Sequence, residues 1–219
     1  MPSLQLHQLR VAAVGKLICD NLRVPVDTRT VLLECLFHDM GNIVKFDLAY
    51  FPEFMQPEGQ AYWESVKADF LQKYGTEQHS ANAEIAREIG LPVRVIEIMN
   101  ASGFSRIRNI VDTGSLELKV CQYADLRVAP HGVISLEERL QDFNRRYANK
   151  NDSAPQGHFH FSNTGYRVEK SVVHEETLHA SRELELQIFA ETSITPLSIN
   201  DISVAPLLNE LSEYPCRVA

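Results

Sequence analysis

Apolar residues recur at spacings of three and four along most of the chain, the mark of amphipathic helices. Leu4, Val11, Val14, Ile18 and Leu22 form the first stripe and predict a helix over 4–22, interrupted at Arg23-Val24-Pro25. Asp27 or Thr28 is placed to cap a second helix through Val31-Leu32-Leu33-Glu34-Cys35-Leu36-Phe37. That run is apolar on nearly every side, so the helix is central, and Gly41 stops it. Residues 43–57 read as a loop rich in aromatics and prolines. Helix resumes over 58–73, where Trp63, Val66, Phe70 and Leu71 share a side, and Gly75 ends it.

Two short helices follow over 78–89 and 92–101, the first closed by Gly90 and the second opened by Pro92. Residues 102–114 read as an exposed connection. Helices return over 115–129 and 135–149, the latter behind Ser135-Leu136-Glu137-Glu138, an S-x-x-E capping box. Residues 150–171 are polar and turn-rich, a connection between a helical body over 1–149 and a C-terminal helical extension over 172–219 packed on the same domain. The extension holds a long helix over 172–192 and a short one over 205–213. Dimerisation and lid packing both stay open as its role. Without strand periodicity or an internal repeat, the expected fold class is all-α.

What interrupts the stripes carries the chemistry. His7 falls among Leu4, Val11 and Val14, and Asp125 falls among Leu118, Cys121 and Val128. Between them the central helix ends on His38-Asp39. An ionised carboxylate in an apolar interior shifts its pKa or finds a partner. Two imidazoles and two carboxylates on core stripes together ask for one divalent cation, since both groups ligate Fe, Mn, Zn, Co and Ni.

Composition narrows the classes. With 219 residues and 44% hydrophobic content the chain can bury a full-sized core. A net charge of −8 disfavours broad adhesion to nucleic-acid backbones and anionic membranes, and favours small-molecule chemistry. No apolar run is long enough to span a bilayer and the first residues lack a signal-peptide pattern, so a cytoplasmic location is expected. Cys19, Cys35, Cys121 and Cys216 are widely spaced and suit reduced thiols. Phosphate-loop, dinucleotide and nucleophile-elbow motifs are absent from the sequence.

The order His7, His38-Asp39, Asp125 resembles the H…HD…D signature of the HD-domain metal-dependent phosphohydrolases. The contexts Leu36-Phe37-His38-Asp39-Met40-Gly41 and Tyr123-Ala124-Asp125-Leu126-Arg127 share that family's texture, and the resemblance covers about residues 4–145. It implies a helical bundle with one divalent transition metal held between helices by His7, His38, Asp39 and Asp125. It also implies a metal-activated water that attacks phosphorus in a small phosphorylated substrate, a nucleotide or another phosphomonoester. Asp39 and His79 are the catalytic candidates with Lys45, and Lys45, Arg106, Arg108 and Arg127 are candidates for the substrate phosphate. Glu34, one turn before His38, is expected to hold an imidazole tautomer. His79 opens a helix where several branches place an extra His, used for a second metal or beside the phosphate. Where two-metal branches add a further His, the chain has Ile98-Met99-Asn100-Ala101, which favours one metal. The same departure keeps an alternative open: a nucleotide- or partner-binding regulatory module with little turnover.

Overall fold

The first stripe becomes the centre of the molecule. In a computed structural model that describes residues 1–49, 55–148 and 170–215, α1 (Pro2–Cys19) carries Val11, Ala12, Ala13, Val14 and Ile18 without exposed surface. α2 (Thr28–Phe37) packs against it, capped by Asp27, whose carboxylate accepts from the Thr30 backbone N–H at 3.1 Å. Gly15 lets the two helices approach closely: a Cβ there would sit 3.2 Å from both Cys35 Sγ and Val31 Cγ1.

A short 3-10 turn over Asn42–Lys45 leads toward α3 (Gln60–Tyr74), whose Trp63, Val66, Phe70 and Leu71 lie on Ile43, Val44 and Ala81. α4 (Gln78–Glu88) and α5 (Val93–Ala101) follow, with Leu33 of α2 in the cluster formed by Ala83, Ala86, Val95 and Met99. α6 (Ile107–Asp112), α7 (Leu116–Leu126), α8 (Leu136–Ala148), α9 (Lys170–Ala190) and α10 (Asp201–Ser212) complete the helices. Among the described residues the only sheet is a hairpin of β1 (Val128–Ala129) with β2 (Gly132–Val133), Val128 opposite Val133. The fold is a helical bundle, and no helix among the described residues is long and apolar enough to cross a membrane.

The expected elements shift in three places. Residues 102–114 are not an exposed connection: Ile107, Ile110 and Val111 of α6 are at most 3% exposed and face α9. Six residues are too few to display a helical period, and the partner that buries them lies some sixty residues further on. α7 ends at Leu126, so Val128 leaves the helix for the hairpin. α10 begins at Asp201, four residues before the expected start at 205, because Asn200 caps it: its Oδ1 accepts from the Ile202 and Ser203 N–H groups. The Ser135/Glu138 box forms as expected, Glu138 Oε2 accepting from the Ser135 N–H at 2.8 Å and Ser135 Oγ from the Glu138 N–H at 3.2 Å. Leu184 and Ile188 of α9 and Val204 and Leu211 of α10 lie in the same core as α1 and α7. Residues 150–169 of the expected connection and Cys216 lie outside the described residues.

One candidate for substrate phosphate has a structural post. Arg127 is 2% exposed, and its guanidinium donates to the carbonyls of Ile134 (2.5 Å), Pro196 (3.3 Å) and Ile199 (2.9 Å) and to the Tyr123 hydroxyl (2.6 Å). Tyr123 in turn donates to Glu185 of α9 at 2.5 Å. Arg127 therefore ties α7 to the hairpin and the C-terminal segment, each of its three nitrogens engaged. Arg127→Ala strands these acceptors away from water, and urea denaturation should show a loss of about 3 kcal/mol.

Candidate metal centre

Three elements meet at the cluster. α1 supplies His7, the turn that closes α2 supplies His38 and Asp39, and α7 supplies Asp125. His7 Nε2 lies 3.7 Å from Asp39 Oδ2 and 3.3 Å from Asp125 Oδ1, while His38 Nε2 lies 3.6 and 3.5 Å from the same two oxygens. The imidazole rings are 5.6 Å apart and tilted. The ligand atoms of His7, His38 and Asp39 all fall within 4.8 Å of one another, so this triad could chelate an ion. Ligands about 2.1 Å from one ion stand roughly 3.4 Å apart at tetrahedral angles, close to the spacing seen.

The His38 ring supplies the sharpest test of that fit. Its Nδ1 lies 3.0 Å from the Cys35 carbonyl oxygen and donates to it, so the neutral ring presents its Nε2 lone pair to the cluster. Nε2 is buried and has no hydrogen-bond partner. Its neighbours are carboxylate oxygens, which also offer only lone pairs. Acceptors crowded on acceptors need positive charge between them. A proton on His38 would supply one unit and a divalent ion two. The titration follows the same logic. Burial disfavours the charged His38 ring, but Asp39 and Asp125 outweigh it and hold its pKa well above the ordinary range. Burial pushes the Asp125 carboxyl up, and the contacts from His38 and His7 overcome it, leaving Asp125 well below the usual carboxylate range. Asp125 is also the most open of the four, at 37% side-chain exposure against 11% for His38, so water can enter from its side.

The turn carrying His38-Asp39 is held from outside by Asn82 of α4. Asn82 Nδ2 donates to the His38 carbonyl at 2.6 Å, and its Oδ1 accepts from the Gly41 N–H. Gly41 is required by this approach, since a Cβ would come within 2.7 Å of Asn82 Oδ1 and 2.8 Å of the Asn82 backbone nitrogen. Asn82 was legible only as a polar residue beside the buried Ala81 and Ile85, the same kind of signal that marks His7 and Asp125.

Glu34 does not set the His38 tautomer, because the Cys35 carbonyl does. Instead Glu34 forms a second, wholly buried cluster with Cys35 and Cys121, which could itself coordinate an ion. Burial raises both the Glu34 carboxyl and the Cys121 thiol. Ser102 Oγ lies 3.0 Å from Glu34 Oε1 and 2.9 Å from the Ile98 carbonyl oxygen.

Of the remaining candidates, Lys45 and His79 adjoin the cluster. Lys45 ends the 3-10 turn and donates to Gln78. Its pKa is lowered by the protein around the ammonium, against the pull of Asp39 and Asp125. His79, half-buried in the first turn of α4, has its pKa lowered by burial first and then by Arg106 and Lys45, with Glu77 and Asp39 opposing. Arg106 donates to the Asn100 carbonyl. Arg108 is elsewhere, bound to Asp112 at 2.6 Å and to Glu183 of α9 at 2.8 Å, so its charge is neutralised on the α6–α9 face.

Comparison with protein-family models, with curated proteins and with solved structures finds no match. What the structure shows is an all-helical fold with a His/His/Asp cluster that could chelate a metal.

Asn82→Ala leaves the Gly41 N–H and the His38 carbonyl without their partner and loosens the turn. Thermal or urea unfolding should show a loss of about 2 kcal/mol. Titration with Mn²⁺ should show affinity weakened about tenfold or more.

Proposed function

We propose that this chain is a divalent-metal-dependent phosphohydrolase acting on a small phosphorylated substrate. The observation that carries it is the buried His38 Nε2, which makes no hydrogen bond and lies 3.6 and 3.5 Å from carboxylate oxygens of Asp39 and Asp125, in a set with His7 that could hold an ion. His7, His38, Asp39 and Asp125 would hold one Fe, Mn, Ni, Co or Zn ion, since two neutral imidazoles and two carboxylates balance a divalent charge. Such an ion supplies a bound water of lowered pKa and positive charge for phosphoryl oxygens.

The chain's own groups do the rest. Asp39 has carboxylate oxygen beyond its ligating atom with which to accept a proton from water and orient it. Lys45, held beside Asp39 and Asp125, offers an ammonium to a phosphoryl oxygen. His79, kept mainly neutral by its lowered pKa, donates a hydrogen bond to the phosphate. Arg106 adds a further cation on the His79 side. Arg108 and Arg127 take no part, because their donors are committed to other partners.

The test is metal content together with phosphate release from p-nitrophenyl phosphate in Mn²⁺. Wild-type protein should bind about one ion per chain. Activity should disappear with chelator and return with Mn²⁺. Asp39→Ala should fall to background with its far-UV circular dichroism intact, and His79→Ala should fall about a hundredfold. Release that is indifferent to both chelator and Asp39→Ala overturns the assignment. Tight binding of nucleotide without turnover would instead favour the regulatory module suggested by Asn100, which offers no imidazole for a second ion.

A further inference from the structure

Beside His79 the surface opens into a cleft of about 350 Å³. Its α4 wall presents His79, Ser80, Glu84 and Arg87, the residues of one helical face, and Asn100 and Arg106 close it from across. His79 joins the cleft to the cluster: it lines the cleft from the first turn of α4, the helix whose Asn82 bonds the His38 carbonyl and the Gly41 N–H and whose Gln78 accepts from Lys45. A substrate with its phosphate at His7, His38, Asp39 and Asp125 would therefore extend its other end toward Arg87 and Arg106.

The lining has a definite chemistry. Two guanidinium groups face one carboxylate, Glu84, so the cleft is cationic on balance. Arg87 is exposed and has no ion-pair or hydrogen-bond partner among the described residues, and Arg106 spends only one terminal nitrogen, on the Asn100 carbonyl. Planar forks of this kind match phosphate and carboxylate groups in two-point contacts. Ser80, Glu84 and Asn100 together offer donors and acceptors suited to hydroxyl groups. Ala83 is the one apolar lining residue, and the only ring in the lining is the His79 imidazole, at the end nearest the cluster. A nucleobase would have only that imidazole and the guanidinium planes of Arg87 and Arg106 to stack on, in competition with their contacts to anions.

Resting on the phosphohydrolase reading, we infer that this cleft seats the non-reacting part of the substrate. That part carries hydroxyl groups and a second anionic group, as in a sugar bisphosphate, and not an aromatic base. Arg87 and Arg106 are then the specificity-determining residues, reading the distal anion while the His/Asp cluster holds the reacting phosphate.

Calorimetric titration of the Mn²⁺-loaded protein with ribose 5-phosphate, ribulose 1,5-bisphosphate and adenosine 5′-monophosphate tests this. The bisphosphate should bind about tenfold or more tighter than the monophosphate sugar. In the Arg87→Ala/Arg106→Ala protein that ratio should collapse to within about twofold. Glu84→Gln, which removes the opposing charge from the same cleft, should tighten the bisphosphate. All three positions are exposed, and circular dichroism checks that each variant is folded. Absence of a bisphosphate preference, a preference that survives the double substitution, or nucleotide binding more than about threefold tighter than ribose 5-phosphate overturns the inference. Metal content and p-nitrophenyl phosphate turnover in the same samples report separately on the hydrolase assignment, so the two can fail independently.

Discussion

Mutual repulsion among lone pairs is the constraint around which this molecule is arranged. The Nε2 atoms of His7 and His38 each stand 3.3–3.7 Å from one oxygen of Asp39 and one of Asp125, on three separate elements, an arrangement that needs a proton or a cation among these atoms. Such a centre persists only if the scaffold outweighs its cost or a cation removes it. The scaffold is correspondingly stiff. α1 is wholly buried along one side, Gly15 brings α2 into close contact with it, and α7 packs on both. Helices at that separation cannot relax individually without opening the core between them.

One backbone carbonyl and one side-chain amide aim the ligands. The Cys35 carbonyl selects the His38 tautomer, and the Asn82 amide grips the backbone on both sides of Asp39. A neutral, oriented imidazole is a better ligand than a free one, because less rotational freedom is lost on binding. The two clusters also divide the labour. The His/Asp set is partly open, with Asp125 reached by water, whereas Glu34, Cys35 and Cys121 are sealed behind it, the Glu34 carboxyl and the Cys121 thiol raised by burial. Charge is thus concentrated where solvent or ligand can reach it, and the interior behind it favours protonated, neutral groups.

Much of the helical order and the four cluster residues could be read from periodicity. His7 and Asp125 stood out because polar side chains on an apolar stripe violate a strong pattern, and that pattern depends only on residues three and four apart. The burial of α6 could not be read this way, because it is too short to show a period and α9 covers it from a distant part of the chain. The start of α10 is displaced for a related reason: residues such as Asn200 and Asp201 end one helix as readily as they begin another, and only the hydrogen bonds of Asn200 decide which. The arginines divided along the same line. Arg108, Arg127, Arg106 and Arg87 are indistinguishable as letters, and their neighbours in space assign two to structural pairing and leave two facing a cleft.

Local pattern, then, determined that the chain is helical, where most helices run, and which four side chains are out of place in a hydrocarbon interior. Those properties follow from the helical repeat and from the cost of burying charge, and both act within a few residues. Tertiary structure alone decided that the four converge, that a carbonyl and not Glu34 orients His38, and which cations remain unspent. Each of these depends on distances between segments far apart in sequence, and such distances are set by how whole helix faces pack.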